Sequence, residues 1–163
     1  MQEYFSLAGR TALVTGGSRG IGRMIAKGFV QAGARVIICS RKLAEGEETA
    51  KELSQYGECI ALRADLSSEE GARALAAELQ QHTEQLDILV NNAGTAWGAP
   101  LESFPVEGWH KVMQLNVTAV FSTIQQLLPL LRKGANADNP TRIINIGSVA
   151  GISTFGEQAY SYG

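Results

Sequence analysis

The stretch TALVTGGSRGIG, residues 11–22, joins a short apolar run to a glycine-rich turn. Residues 11–15 have the length and composition of a buried strand. After the turn, Ile21, Ile25 and Phe29 recur at helical spacing and predict a helix. Glycines placed between a strand and a helix let the backbone turn tightly and approach an anionic group at the helix N-terminus. We therefore expect a strand, turn and helix unit that can bind a phosphate.

Predicted strands and helices alternate along the rest of the chain. Further strands are predicted at 36–39, 58–63, 86–91 and 142–146, and helices at 43–56, 72–79 and 106–131. Ser67 and Glu70 have capping-box spacing ahead of the third helix. Alternation of this kind requires a parallel sheet with right-handed crossovers. The predicted fold class is therefore α/β, a doubly wound parallel sheet in three layers, which binds ligands at the carboxyl ends of its strands.

Length and composition predict a single domain over residues 1–163. The chain is 45% hydrophobic and 18% charged, with a mean hydropathy of -0.02, which is typical of a globular protein. No apolar run approaches the roughly 20 residues that span a bilayer, and residues 1–10 do not resemble a secretory signal. Cys39 and Cys59 lie in apolar runs and are expected to be reduced core residues. We therefore expect a cytoplasmic protein.

The charge distribution points to a small anionic ligand. The net charge of -2 gives no reason to expect nucleic acid or a membrane as partner. Residues 1–42, however, hold seven basic residues and one acidic residue, so this segment carries +6 and the remainder -8. Chance clustering of solvated charges is the alternative. His82 and His110 lack metal-ligand spacing, so no metal site is expected.

The spacing of Gly16, Gly20 and Gly22 resembles the glycine motif of the short-chain dehydrogenase/reductase family. The family's other motifs follow in order: Asn-Asn-Ala-Gly at 91–94, and then Asn116, Ser148 and Tyr162. The resemblance covers essentially the whole chain and implies a Rossmann-like dinucleotide-binding domain without the family's last strands and helices. The predicted cofactor-binding residues are Gly16, Ser18, Arg19, Gly20, Ile21, Gly22, Ser40, Arg41, Asp65, Leu66, Asn92, Ala93 and Gly94.

Basic residues at the end of the second predicted strand indicate which dinucleotide is preferred. An acidic residue there accepts from the ribose 2'-hydroxyl of NAD, whereas an arginine accommodates the 2'-phosphate of NADP. The sequence reads Ser40-Arg41 at this point, and Arg19 in the glycine turn can reach the same phosphate. We therefore predict NADP(H) as cofactor. The alternative is that Arg41 and Lys42 merely begin an exposed helix.

A ketone that accepts a hydride becomes an alkoxide, so it needs a proton donor and a hydroxyl that holds the carbonyl oxygen. Tyr162 and Ser148 can fill these catalytic roles. The resemblance implies that Asn116 organises a water molecule, while tolerance at a helix bend is its structural alternative. In the family a lysine four residues after the tyrosine lowers the tyrosine pKa, and the sequence ends at Gly163, before that position. We therefore expect little turnover from these 163 residues themselves and an enzyme in the complete protein.

Within the family, residues 4–10, 95–108 and 147–162 most resemble NADPH-dependent 3-oxoacyl reductases of rhamnolipid precursor synthesis. The resemblance implies reduction of a 3-oxoacyl thioester, free or carrier-linked, to the 3-hydroxyacyl form. A reductase of another ketone, steroid or sugar stays open, as does a dinucleotide-binding module without catalysis. The complete protein is expected to be a homodimer or homotetramer. Val112, Leu115 and Ala119 lie off the main apolar stripe of the long helix and predict a second packing surface, either between subunits or against further chain.

Overall fold

The computed structural model describes residues 5–151 and 159–161. Its helices are α1 (Gly20–Gln31), α2 (Leu43–Leu53), α3 (Glu69–Leu79), α4 (Val106–Met113) and α5 (Ala119–Gly134). Its strands are β1 (Thr11–Thr15), β2 (Arg35–Ser40), β3 (Cys59–Arg63), β4 (Ile88–Asn91), β5 (Trp97–Ala99), β6 (Arg142–Asn145) and β7 (Ala159–Ser161). The strands of the main sheet lie within one or two residues of their predicted positions.

Five strands form a parallel sheet in the order β3-β2-β1-β4-β6. The chain moves outward from β1 to β3 and then returns to the other side of β1 at β4. The strand order therefore reverses at β1 and β4, which is where a doubly wound sheet binds its ligand. This arrangement confirms the predicted α/β fold class.

Alternate residues of each central strand enter different cores, one on each face of the sheet. Leu13 and Ile37 pack with α3 and α5 through Leu75 and Leu127. Their neighbours in β1 and β2 (Ala12, Val14, Val36 and Ile38) pack on the opposite face with Val30 of α1 and Leu53 of α2. Because both faces are covered, the strands read as continuous apolar runs, as expected of a buried parallel sheet.

The long helix predicted over 106–131 is present without a gap, but the regular α-helical period assumed for it was wrong at residues 114–118. The π turn Gln114–Thr118 separates α4 from α5 and shifts the phase of the helical pattern. The predicted apolar stripe was also wrong at its start, since Val106 and Trp109 are 61% and 51% exposed. Val112, which was placed off the stripe, is buried, because the core-facing side of α4 uses it together with Gly108. Val112 was misplaced because the predicted stripe followed the large apolar side chains, whereas its buried neighbour on this side is the small residue Gly108.

The capping box predicted at Ser67 and Glu70 was wrong by one residue. Ser68 is the N-cap of α3, and its hydroxyl accepts from the backbone N–H of Gly71 at 3.2 Å. Ser67 instead donates to Asp65 Oδ1 at 2.7 Å. The antiparallel pairing of β5 with β7 was not predicted either, because three-residue strands carry almost no periodicity.

None of the helices in the part of the chain that the structure describes is long and apolar enough to span a lipid bilayer.

Candidate functional site

The glycine-rich turn lies directly beyond the carboxyl end of β1. The N–H of Gly16 donates to Cys39 O at 2.9 Å, which fastens the start of the turn to β2. Gly20 has a φ of +55°, a conformation that other residues rarely adopt. A Cβ on Gly22 would lie 2.4 Å from both Asn92 Nδ2 and Gly16 O, so only glycine fits where α1 passes the turn. The sequence therefore folds here into a close turn that leads straight into a helix N-terminus.

Thr15 ties this turn to the segment that follows β4. Its hydroxyl accepts from the N–H groups of Asn92 and Ala93, both at 2.9 Å, and donates to Val90 O at 3.3 Å. Asn92 Nδ2 donates back to Thr15 O at 2.9 Å and to Gly16 O at 3.3 Å. Asn92 therefore holds two loops together. Sequence reasoning missed Thr15, whose only signal is a hydroxyl at the end of an otherwise apolar strand.

A second threonine supports the turn from α2. Thr49 is buried, and its hydroxyl donates to Ser18 O at 2.8 Å. This bond fixes the middle of the glycine-rich turn relative to α2. Thr49 was not singled out from the sequence, since a lone threonine in an amphipathic helix gives no functional signal.

A cavity of about 790 Å³ opens over the turn, at the strand ends where the order of the sheet reverses. Its size suits a cofactor-sized ligand. Eleven of the thirteen predicted cofactor-binding residues line it: Gly16, Ser18, Arg19, Gly20, Ile21, Ser40, Arg41, Leu66, Asn92, Ala93 and Gly94. Gly22 and Asp65 are outside this lining. The lining residues missed from the sequence are Cys39, Lys42, Glu45, Ala64 and Leu115.

Three cations and one carboxylate mark the side of the cavity near the end of β2. Arg19, Arg41 and Lys42 line it, together with Glu45. Lys42 Nζ donates to Glu45 Oε1 at 2.7 Å, and this bond, with the positive charges of Lys42 and Arg19, holds the pKa of Glu45 below its usual value. The arrangement is suited to binding an anion.

Asp65 follows β3 and takes part in a local turn. Its Oδ1 accepts from Ser67 N at 3.0 Å and from the Ser67 hydroxyl at 2.7 Å. These two bonds, and then the charges of Arg41 and Arg63, hold the pKa of Asp65 below its usual value. The carboxylate therefore stays ionised at neutral pH beside the basic side of the cavity.

Asn116 lies in the π turn and faces the loop after β4. Its Oδ1 accepts from Thr95 N at 2.9 Å, and its Nδ2 donates to Thr95 O at 2.8 Å. A Cβ on Gly94 would approach Asn116 Oδ1 to 3.3 Å, so the loop runs close against the turn. Asn116 is thus placed at a helix irregularity, and its amide fastens that irregularity to the cavity-lining loop.

The other two predicted catalytic residues lie near the end of the chain. Ser148 is exposed and lies in the segment that follows β6, the strand that pairs with β4. Its Oγ accepts a hydrogen bond from Ala150 N at 3.1 Å. Tyr162 lies outside the described residues. Within residues 5–151 and 159–161, no group of three or more His, Cys, Asp or Glu side chains is placed to hold a metal ion.

A parallel sheet whose order reverses over a glycine-rich turn, with a cavity at that point, defines a Rossmann-type dinucleotide-binding protein. The family described as short chain dehydrogenase matches residues 10–162. The chain belongs to this family, which confirms the resemblance seen in the sequence.

Two relatives and one solved structure show how near the similarity is. The chain is 69% identical over 163 residues to the rhamnolipids biosynthesis 3-oxoacyl-[acyl-carrier-protein] reductase of Pseudomonas aeruginosa, covering 100% of this chain and 64% of the relative. It is 34% identical over 148 residues to L-fucose dehydrogenase of Bos taurus, covering 88% and 51%. The Pseudomonas aeruginosa RhlG/NADP active-site complex superimposes with a TM-score of 0.94 at 69% identity, covering 98% of this chain and 62% of that one. The chain therefore spans less than two thirds of the length of these proteins.

Proposed function

We propose that the protein carrying this chain is an NADPH-dependent reductase that converts a 3-oxoacyl thioester, free or carrier-linked, to the 3-hydroxyacyl form. The observation that carries the proposal is the 69% identity, over all 163 residues, to a 3-oxoacyl-[acyl-carrier-protein] reductase. The described cavity supports it independently, because its shape and charge suit the cofactor that such a reduction needs.

The residues of the cavity fit NADP(H). Nothing lies within 4 Å of a Cβ built on Gly20, so the turn leaves open space at the N-terminus of α1, where free N–H groups and the helix dipole favour phosphate. Arg19 and Arg41 line the same cavity and can bind a 2'-phosphate through charge-assisted hydrogen bonds. No acidic residue follows β2 at the position where an NAD-preferring site has one.

The nicotinamide of this cofactor would supply the hydride. The resemblance to the family suggests that the Ser148 hydroxyl binds the carbonyl oxygen and that the Tyr162 phenol donates a proton to the alkoxide. A hydroxyl such as that of Ser148 can accept and donate hydrogen bonds at once, so its bond from Ala150 N leaves it able to donate to a substrate oxygen. We propose that Asn116 positions the loop around Thr95 beside the reacting groups.

Replacement of Tyr162 by phenylalanine tests the proposed proton donor. Turnover is measured as NADPH consumption with a 3-oxoacyl thioester, using the protein as the native gene encodes it. We expect Tyr162→Phe to lower kcat by at least about 100-fold, the usual contribution of a positioned general acid. NADPH affinity is expected to change little, because the phenol acts on the substrate oxygen.

Tyr160 provides a matched control, two residues away in the chain. Tyr160→Phe is expected to retain turnover, since its spacing from Ser148 does not fit the family motif. Unchanged turnover in Tyr162→Phe would exclude the proposed proton donor. Reduction of sugars in preference to 3-oxoacyl thioesters by the unmodified protein would overturn the substrate assignment in favour of a dehydrogenase of the L-fucose type.

A cytoplasmic location and self-association complete the proposal. Cys39 and Cys59 are free and buried, which is typical of a reducing compartment. Val117 and Phe121 are spaced by four residues and are 48% and 65% exposed, so α5 and the π turn present apolar surface suited to a homodimer or homotetramer. Light scattering of the native gene product measures the oligomeric state, and a monomer would contradict it.

A further inference from the structure

The lining of the cavity contains an acidic side chain at the place where an anion is expected to bind. Among the described residues that line it, Glu45 is the one carboxylate, and it shares this wall with Arg19, Arg41 and Lys42. Glu45 lies in the first turn of α2, three residues after Lys42. An acidic group here opposes the binding of a phosphate, so its presence needs a physical account.

Glu45 is engaged with the cations on which such a phosphate would depend. Its Oε1 accepts from Lys42 Nζ at 2.7 Å. The positive charges of Lys42 and Arg19 both favour its ionised form and lower its pKa. The carboxylate therefore interacts with a cation from each of the two segments that border the anion site, the glycine-rich turn and the end of β2.

Two ordinary structural roles are available to Glu45. A carboxylate in the first turn of a helix interacts favourably with the helix dipole, and an exposed ion pair three residues apart adds little stability. Neither role involves the cavity. Glu47 and Glu48 are exposed on the same helix and lie outside the lining of the cavity. They are therefore the glutamates of α2 with which Glu45 can be compared.

We propose that Glu45 sets the affinity of the site for the 2'-phosphate of NADP(H) by competing with that phosphate for Lys42 and Arg19. The inference rests on the proposed function, because it takes the phosphate from the cofactor named there. When the phosphate enters, Lys42 exchanges the carboxylate for it, and the repulsion between carboxylate and phosphate reduces the net gain. The site therefore binds NADPH less tightly than its three cations alone would allow, which eases release of the cofactor after each turnover.

Substitution of Glu45 by glutamine removes the charge and keeps the shape of the side chain. Calorimetric titrations with NADPH, NADH, 2',5'-ADP and 5'-AMP compare ligands that differ by the 2'-phosphate. We expect Glu45→Gln to bind NADPH and 2',5'-ADP about threefold to tenfold more tightly, in keeping with exposed charge interactions. The affinities for NADH and 5'-AMP are expected to stay unchanged.

Glu48→Gln is the matched control, because it removes the same charge from an exposed position of the same helix. It is expected to leave all four affinities unchanged. The double variant Lys42→Gln with Glu45→Gln is compared with Lys42→Gln alone, and the gain from removing Glu45 is expected to shrink when Lys42 is absent. Glu45→Ala provides a second variant, with the same expected tightening, should the glutamine variant fold poorly.

The outcomes separate this inference from the proposed function. If the unmodified protein binds NADPH no better than NADH, the proposed cofactor preference fails and the inference fails with it. If the unmodified protein prefers NADPH but Glu45→Gln binds it with equal affinity, the inference alone is overturned. Weaker NADPH binding in that variant would also overturn it and would make Glu45 a positioning residue for Lys42.

Discussion

Single side chains near the ends of β1 and β2 line the cavity, and we propose that they determine what it binds. The glycine positions, Arg19 and Arg41 could be predicted from the sequence, because glycine spacing and charge are local signals. Thr15 and Thr49 could not, because their importance lies in hydrogen bonds to backbone atoms 75 to 78 and 31 residues away in the chain. A sequence pattern has no direct access to such long-range partners.

Arg41 is expected to discriminate between the two dinucleotides. Arg41→Ala removes the charge-assisted contact that we propose Arg41 makes to the 2'-phosphate, so we expect NADPH affinity to fall by about 10- to 100-fold. NADH affinity is expected to change little, as titration of both cofactors measures. Arg63→Ala is the control, since Arg63 is exposed at the end of the neighbouring strand β3 and outside the cavity lining. Equal losses for both cofactors would contradict a phosphate-specific role of Arg41.

Cys39 is expected to make stability depend on alkaline pH. Burial raises the pKa of its thiol from 9.0 to about 12, although the N–H of Gly16 offsets part of this effect. A raised pKa in the folded state means that the unfolded chain loses this proton first. The contribution of the buried, protonated Cys39 thiol to the free energy of unfolding is therefore fully present below pH 9 and is lost as the pH rises toward 12.

Urea unfolding at several alkaline pH values measures this dependence. The free energy of unfolding of the unmodified chain is expected to fall more steeply with pH than that of Cys39→Ala. Thiol reagents are expected to modify Cys39 only after unfolding, because the thiol is buried and protonated in the folded state. Identical pH slopes for the two chains would contradict the assigned burial effect.

At the level of elements, the strands were predicted better than the long helix. The apolar runs of β1, β2 and β4 are almost fully buried, so composition alone indicates them. The π turn, which holds one residue more than a regular helical turn, was not predicted. Its Asn116 amide bonds the backbone of Thr95, 21 residues earlier, and local periodicity does not reveal such a contact. The helix bend weighed as a structural alternative for Asn116 matches this irregularity, while its role toward a water molecule stays a prediction.

Asn116 is expected to stabilise the junction of α4 and α5 with the loop after β4. Asn116→Ala removes both hydrogen bonds to Thr95 and leaves a half-buried backbone N–H and C=O without these partners. We expect the free energy of unfolding to fall by about 1–3 kcal/mol in urea titrations. Thr118→Ala, at an exposed position of the same turn, is the control and is expected to change stability by less than about 0.5 kcal/mol. Equal effects of the two substitutions would show that the amide does not secure the junction.

For the molecule as a whole, the sheet is well covered at its centre and open at one edge. The strands β1 and β2 are buried on both faces, whereas Ile143 and Ile144 of β6 are 43% and 41% exposed. In the part of the chain that the structure describes, β6 has β4 as its one neighbour in the sheet. That residues 1–163 form a single domain stays a prediction.

The open edge of β6 is expected to promote self-association of the isolated polypeptide 1–163. Unpaired backbone groups beside exposed isoleucines favour strand addition between molecules, and a lysine at such an edge opposes it. We expect Ile143→Lys to slow aggregation, measured by light scattering over a concentration series. Glu58→Gln, an exposed substitution just before β3 at the opposite edge, changes the net charge by the same one unit as Ile143→Lys and is the control. If it slows aggregation as much as Ile143→Lys does, the edge of β6 is not responsible.

Titration of NADPH and NADH into the unmodified protein tests the central claim most directly, since both the reductase assignment and the role of Glu45 depend on recognition of the 2'-phosphate. The cavity formed by the glycine-rich turn, Arg19 and Arg41 predicts tighter binding of NADPH than of NADH. The predicted preference disappears as salt rises, because charge-assisted contacts near the surface are screened. Equal binding of the two cofactors, or a preference for NADH, would contradict the proposed recognition of the 2'-phosphate.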